Sequence, residues 1–178
     1  MYIMLYNAPT KGDDGLYFVK ALNDSKRKCL VQLNKVKISE FSGGDVVLDL
    51  VTEANLAKIQ SIDEQNLVAA QENSEAWFSK QLSENVIKSA YTSSIADGQL
   101  TGERIGITKV FNFEQEEVDY EDVQVGKSCD VILEFAGIWF AKKSFGSLWN
   151  IVQLRVHPDP ILDTYPDGYA FAEDDSEE

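Results

Sequence analysis

The chain has few of the residues on which zinc, disulfide and nucleophile chemistry depend. Its 178 residues include only two cysteines, Cys29 and Cys129, and one histidine, His157. The cysteines form no CxxC motif, which argues against a zinc ribbon or a disulfide framework and fits a reducing compartment. No Walker loop, GxSxG, HExxH or GxGxxG motif occurs. We therefore expect a protein without catalysis, cofactor or metal.

Long apolar runs are also absent. No segment approaches the roughly 18 apolar residues that a membrane-spanning helix needs. The first residues, MYIMLYNAP, lack the basic lead-in of a signal peptide. These absences predict a cytoplasmic protein with neither a signal peptide nor a membrane span.

Positive charge is scarce, and none follows Arg155. The chain carries 16 Lys and Arg against 30 Asp and Glu, a net charge of −14. Eight of those acids lie in residues 159–178, so residues 1–158 have a net charge of −6. A surface that binds a polyanion would have to be a local patch. We predict one folded domain, residues 1–158, and a disordered acidic tail, residues 159–178.

Short segments rich in β-formers alternate with turn signals over most of the chain. They predict strands at residues 16–22, 29–39, 45–51, 104–113, 131–140 and 148–156, with the first three forming an antiparallel meander. Between the third and fourth strands, residues 53–92 have helical character. Phe78, Leu82 and Val86 recur at the i+4 spacing of one amphipathic helix, and its register makes Trp77 and Phe78 core anchors.

This order of elements predicts a mainly β fold. We expect an OB-fold-like antiparallel barrel of five to six strands, with an inserted helical segment at about residues 53–92 and the disordered acidic tail. In that fold the early strands and their flanking loops bind the ligand, which would place basic side chains of residues 26–37 on or near the binding face.

Residues 129–157 combine aromatic and basic side chains in one predicted hairpin. The period-2 pattern of its second strand predicts that Trp149 and Arg155 lie on a presented face, opposite a buried face. Gly146 fits a left-handed or bulge position in the hairpin loop. Trp139 shares its parity with apolar residues, which favours a core position.

Rings beside cations on a sheet can stack bases and neutralise the phosphates of a single nucleic-acid strand. The predicted nucleic-acid surface comprises Trp149, Phe145, Lys142, Lys143, Arg155, Phe140, Lys26, Arg27, Lys28, Lys35, Lys37 and Lys109. The tail interleaves rings with acids, and could occupy this basic surface until DNA displaces it, or dock on basic partners. The predicted partner-binding residues are Tyr165, Tyr169, Phe171, Glu173, Asp174, Asp175, Glu177 and Glu178.

Two other functions stay open. The chain could be a β-rich adaptor or virion component whose acidic tail binds a basic partner. Buried rings in the hairpin would favour this adaptor, and exposed rings would favour strand binding. The acidic stretch 114–122 could also hold a divalent metal in a small nuclease, although its spacing matches no EF-hand and favours a solvated loop.

The run GIWFAKKSFGSLWNIVQLRV, together with the acidic tail, resembles single-stranded-DNA-binding proteins of podophages and of large nucleocytoplasmic DNA viruses. The likeness rests mainly on residues 127–157 and the tail. It implies a viral, sequence-tolerant protein that acts in DNA replication, recombination or repair, in a bacterial host or at a viral replication site. It also implies that Trp149, Phe145, Lys142, Lys143 and Arg155 contact DNA. The tail would recruit replication or recombination proteins and support a homodimer.

Overall fold

A computed structural model describes residues 3–41, 43–159 and 168–172 of the chain. In these ranges the chain forms ten strands, three α-helices and one 3-10 turn, Tyr120–Asp122. The strands are β1 (Met4–Tyr6), β2 (Thr10–Lys11), β3 (Tyr17–Asn23), β4 (Cys29–Phe41), β5 (Asp45–Asp49), β6 (Tyr91–Thr92), β7 (Gln99–Phe111), β8 (Glu117–Val118), β9 (Ser128–Phe140) and β10 (Phe145–Val156). The helices are α1 (Glu53–Glu72), α2 (Ser74–Phe78) and α3 (Glu84–Ala90).

Five strands close into a ring. Around it, β4 pairs with β5, β5 with β7, β7 with β10, β10 with β9, and β9 again with β4. The β7–β10 pairing is parallel and the other four are antiparallel. A small closed ring with this mixed pairing is an OB-like barrel, which confirms the predicted mainly β fold with its helical insert.

The inward side chains of the ring strands form the core. Alternate residues of β4 and β5, such as Val31, Leu33 and Leu48, are fully buried, as period-2 burial requires. Ile59 and Ile62 of α1 belong to the same buried cluster. The helical insert therefore contributes one apolar face to the core of the barrel.

The predicted meander of the first three strands is correct for its second pair and wrong for its first. β4 and β5 do pair antiparallel, but β3 pairs with residues 137–139 of β9, beyond the stretch of β9 that pairs with β4. Gly137 makes this pairing close, because a Cβ built there would lie 2.0 Å from the carbonyl oxygen of Val19. Local turn signals could not reveal that β3 pairs with a strand more than 100 residues later.

The predicted single helix after residue 74 is also wrong, because two short helices occupy that stretch. Ser79 has a left-handed φ of 66° and ends α2. The Oγ of Ser74 accepts from the backbone N–H of Leu82 at 2.7 Å and donates to the Lys80 carbonyl at 3.1 Å. Ser83 then caps α3 through the N–H of Val86. Serine hydroxyls here replace helical hydrogen bonds with bonds to the backbone. The spacing of apolar residues alone does not predict this break.

A buried polar network joins α1 to the sheet. The carboxylate of Asp63 accepts hydrogen bonds from the Tyr91 hydroxyl, from the Ser94 hydroxyl at 2.6 Å and from the Ser94 backbone N–H at 3.0 Å. Asn66 bridges the Tyr91 hydroxyl and the Tyr6 hydroxyl. Burial raises the pKa of Asp63 above its ordinary value even though these bonds lower it.

Within the described ranges, no helix combines the length and apolar character that a membrane crossing requires.

Candidate nucleic-acid interface

A cleft of about 690 Å³ opens between the α2 region and the β9–β10 hairpin. We call it the aromatic cleft. One wall comes from α2, the loop after it and α3, and the other from the end of β9, the hairpin loop and the start of β10. Its rings and cations are Tyr17, Trp77, Phe78, Phe140, Phe145, Lys80, Lys142 and Lys143.

Two buried phenylalanines form the floor of the aromatic cleft. Phe140 and Phe145 stack with ring centroids 5.9 Å apart and an interplanar angle of 12°. Trp77 meets Phe140 edge-on at 5.8 Å, and Phe78 meets Phe145 edge-on at 5.2 Å. Edge-to-face rings in this range stabilise one another, so the floor is already formed without a ligand.

Three side chains at the mouth remain accessible. Tyr17 exposes 52% of its surface, and the half-buried Trp77 and Phe78 lie beside it along the cleft. Trp77 and Phe78 also pack against the core, as predicted. The sequence did not predict that these two rings line a cleft. They do so because the helix breaks after Phe78, between α2 and α3.

The rim of the cleft is cationic. Lys80, Lys142 and Lys143 are all exposed, and in the described part of the chain none of them forms an ion pair with a carboxylate. Their ammonium groups are therefore available to an external anion. In this chain of net charge −14, the rim is a local positive patch of the kind that the sequence required.

The prediction that Trp149 lies on a presented face is wrong. Its side chain is only 3% exposed, and its indole N–H donates to Ser94 Oγ at 3.0 Å and Ser147 Oγ at 2.9 Å. The cause is a β-bulge in β10, where Val152 is the extra residue between Ile151, opposite Leu133, and Gln153, opposite Ile132. This bulge exchanges the inward and outward faces, so Trp149 is buried before it and Leu154 after it, and one parity cannot describe the whole strand.

Phe145 was predicted to be an accessible loop ring, and this is also wrong. It begins β10, is 1% exposed, and packs against Tyr91 with ring centroids 5.1 Å apart. Phe140 is likewise buried. Both rings shape the cleft floor but present little surface for stacking. Gly146, predicted as a turn residue, lies within β10, where a Cβ would come 2.7 Å from the Trp139 ring.

A second basic cluster lies at the turn between β3 and β4. Lys26 has a φ of 63° in this turn, and the Asn23 side chain accepts from the backbone N–H groups of Ser25 and Arg27. The turn lines a shallow depression with Lys20. Lys28 reaches Glu134 at 3.5 Å, so part of its charge is already compensated.

The remaining predicted basic residues lie apart from the aromatic cleft. Lys35 and Lys37 are exposed on β4, and Lys109 is exposed on β7. Lys35 adopts a φ of 58° where the register of β4 against β9 shifts. None of the three lines the aromatic cleft, so the structure distributes the predicted basic surface over several patches.

Arg155 lies near the other end of β10 and is held by a buried carboxylate. Its Nε and Nη2 donate to Asp130 Oδ2 at 2.9 and 2.5 Å. Asp130 Oδ1 meets His157 Nε2 at 2.8 Å and accepts from the Lys35 backbone N–H at 3.0 Å. Burial alone would raise the pKa of Asp130, but these hydrogen bonds outweigh it and hold the pKa below its ordinary value.

The predicted tail site lies largely outside the described residues. Only Tyr169 and Phe171 of the predicted partner-binding set are described; both are highly exposed, and their ring centroids are 5.5 Å apart. Outside the described ranges lie Tyr165, Glu173, Asp174, Asp175, Glu177 and Glu178. The disorder and role of the tail stay predictions.

The cysteines offer no reactive thiolate at neutral pH. Burial raises the pKa of the Cys29 thiol to about 11 and that of the Cys129 thiol to about 12. Among residues 3–41, 43–159 and 168–172, no group of three His, Cys, Asp or Glu side chains is arranged to hold a metal ion.

Solved structures of one phage protein share this fold. The single-stranded DNA-binding protein from bacteriophage Enc34 superimposes with a TM-score of 0.53 at 14% identity, covering 96% of each chain. Its C-terminally truncated form gives a TM-score of 0.51 at 14% identity, covering 86% of this chain and 95% of the phage chain. The resemblance predicted from the hairpin is therefore confirmed at the level of the fold.

No curated protein sequence matches the chain. A family of unknown function, DUF5871, matches residues 34–173, a span that includes the whole five-stranded ring except the start of β4. The chain belongs to this family, DUF5871.

Proposed function

We propose that the chain is a non-enzymatic, sequence-tolerant protein that binds single-stranded DNA. The observation that carries this proposal is the aromatic cleft: accessible Tyr17, Trp77 and Phe78 beside a lysine rim with no carboxylate partner among the described residues. Every base has a π-face, so stacking on such rings tolerates any sequence, and each stacked base contributes about 1–3 kcal/mol.

The geometry favours a single strand over a duplex. Rings recessed in a cleft reach only bases that are already unstacked, whereas duplex DNA presents its phosphates and groove edges. The acidic body adds a long-range repulsion, so binding depends on the local contacts of the lysine rim. Because those contacts are made to phosphates, binding weakens with salt. The shared fold with the phage protein, which is described as a single-stranded DNA-binding protein, supports the same choice.

We assign this activity to DNA replication, recombination or repair, where single strands are exposed. In that role the acidic tail gates the cleft and recruits partner proteins. Charge complementarity supports the gating role of the tail, since residues 159–178 hold eight acids and no base, whereas the rim holds three lysines. Exposed Tyr169 and Phe171 supply the rings that could enter an aromatic cleft.

Removal of the tail tests the gating. Protein cut after Pro158 should bind an oligo-dT strand more tightly than the full chain at low salt, and this difference should shrink as salt screens the tail. A control protein keeps the tail at full length but has Gln and Asn in place of its Glu and Asp. It separates the effect of the tail's charge from the effect of its length. Unchanged or weaker binding by the truncated protein would contradict gating while leaving strand binding itself standing.

One observation favours a second candidate. Trp149 and Phe145 of the hairpin are buried, and this burial was the expected mark of a β-rich adaptor whose acidic tail binds a basic protein. The two functions differ in which part of the chain is needed. An adaptor would bind its partner through the tail alone, and charge reversal at Lys142 and Lys143 would leave that binding intact. A strand-binding protein loses affinity for DNA on the same change.

A further inference from the structure

A second pocket, of about 340 Å³, lies on the outside of the barrel, away from the aromatic cleft. We call it the amide pocket because four of its lining side chains are amides: Gln32, Asn112, Gln115 and Gln153. Arg155 and its partner Asp130 complete the polar lining, and Phe111 and Leu154 are among the apolar residues. Its volume falls in the range of small-ligand sites, about 300–1,000 Å³.

The sheet holds Gln32 and Gln153 in one row, whereas Asn112 and Gln115 lie in the loop between β7 and β8. Gln32 on β4 is opposite Ile132 on β9, Ile132 is opposite Gln153 on β10, and Gln153 is opposite Lys109 on β7. The bulge between Ile151 and Gln153 turns Gln153 outward, where it is exposed. Side chains on hydrogen-bonded strands are positioned more precisely than side chains on loops, so the sheet fixes the Gln32 and Gln153 side of the pocket.

Arg155 is preorganised at one side of the pocket. Asp130 binds its Nε and Nη2, and the ring of Phe113 lies 5.0 Å from its guanidinium carbon. The Arg155 side chain is still 48% exposed, and Nη1 is left free of the bonds to Asp130. Because Asp130 already balances the charge of Arg155, the pocket offers an oriented donor rather than an uncompensated cation.

The amides offer both donors and acceptors. Gln32 donates from Nε2 to Asn34 Oδ1 at 2.9 Å, which leaves its Oε1 as an acceptor. The side chains of Gln115 and Gln153 form no hydrogen bond within the described ranges. Asn112 instead stabilises the loop after β7 by accepting from the backbone N–H groups of Glu114 and Glu116.

This mixture of groups selects among ligands. A phosphate accepts hydrogen bonds only, so amide oxygens would repel it and a balanced Arg155 would attract it weakly. A nucleobase edge carries donors and acceptors side by side, as the amides do. Glutamine pairs with N6 and N7 of adenine, and arginine with O6 and N7 of guanine, and only purines carry this edge.

We propose that the amide pocket is a nucleobase subsite that takes the N7 edge of a purine from a bound single strand. The inference rests on the proposed strand binding and adds a base preference at one position to an otherwise sequence-tolerant protein. Lys109, whose strand position is opposite Gln153, lies where it can meet the phosphate of that nucleotide.

The test compares two labelled oligonucleotides of equal length. One is oligo-dT, and the other has dA or dG in place of dT at every third position. Fluorescence anisotropy with the full chain should give at least about fivefold tighter binding to the purine-containing strand. Gln115→Ala combined with Gln153→Ala should remove this preference and leave the affinity for oligo-dT unchanged. Both side chains are exposed, so the fold should tolerate the change.

Two variants control the result. Gln124→Ala removes an exposed glutamine that does not line the pocket, and it should keep the preference. Arg155→Lys keeps a charge beside Asp130 but loses the planar fork, so the preference for dG should fall while the protein stays folded in urea titrations. Two results would overturn this inference and leave strand binding standing. One is equal binding of both oligonucleotides by the native protein, and the other is an unchanged purine preference in the double variant. Failure to bind either strand overturns the proposed function and the subsite together.

Discussion

Arg155 donates two hydrogen bonds to one carboxylate oxygen of Asp130, from Nε at 2.9 Å and from Nη2 at 2.5 Å. The carboxylate is buried, whereas the Arg155 side chain is half exposed. This pair joins adjacent strands of the barrel, because Arg155 and Asp130 are opposite one another in the β9–β10 register. It stabilises the fold and also orients the one arginine of the amide pocket.

The first prediction concerns acid stability. Since the pKa of Asp130 is below its ordinary value in the folded protein, its contribution to stability is present above the ordinary aspartate pKa. That contribution is lost as the pH falls through the lowered value. Urea unfolding of the native protein and of Asp130→Asn, measured from neutral pH into the acid range, should show a difference that shrinks toward low pH. A difference that stays constant over this range would contradict the prediction.

The second prediction concerns Trp149. Because its ring is buried and its N–H is bonded to two serines, Trp149→Ala should lower the free energy of unfolding by about 3–5 kcal/mol. Urea titration followed by far-UV circular dichroism measures this loss. DNA affinity of the fraction that remains folded should change little, because the ring does not face the ligand. Trp149→Ala with native stability and weak DNA binding would restore the presented-face interpretation.

The third prediction concerns the lysine rim. Lys142→Ala combined with Lys143→Ala should weaken binding to oligo-dT and reduce the slope of log K against log salt by about 1.4, the value expected for two lost phosphate contacts on a single strand. Lys88→Ala is the matched control, since Lys88 is exposed on α3, pairs with Glu84 and does not line the cleft. An equal change in slope for both proteins would show a general charge effect and contradict a specific rim.

The fourth prediction concerns Tyr17. It is the most exposed ring of the aromatic cleft, so Tyr17→Ala should cost about 1–3 kcal/mol of binding for every base composition and leave stability nearly unchanged. Leu16→Ala removes a neighbouring exposed side chain outside the cleft and should keep native affinity. Anisotropy titrations with oligo-dT and oligo-dA measure both. A loss limited to one base would point to readout by hydrogen bonds instead of stacking.

Much of the fold was predictable because it is encoded locally. The alternation of apolar residues and the turn at residues 43–44 correctly predict the barrel strands β4 and β5. The apolar run at residues 131–140 correctly predicts most of β9. The β3–β9 pairing was not predictable, because it joins Phe18 to Trp139 across the chain and has no local signal. The bulges in β9 and β10 were not predictable either, since a parity rule assumes that the register never shifts.

The site was predictable in its residue types and less so in its geometry. Lys142 and Lys143 do lie at one cleft, as their place in the hairpin loop indicated. Tyr17 and Lys80 escaped notice, because they reach the cleft through β3 pairing and through the helix break at Ser79. Aromatic content therefore located the correct hairpin, whereas burial decided which rings a ligand can reach.

The most direct test of the proposed function is a fluorescence-anisotropy titration of labelled oligo-dT with the full chain, at about 50 mM and about 200 mM salt. The same titration with Lys142→Ala, Lys143→Ala and Tyr17→Ala combined tests the cleft as the place of binding. We predict saturable binding by the native protein that weakens at the higher salt and is largely lost in the triple variant. An absence of binding at the lower salt, or equal binding by the triple variant, would contradict it.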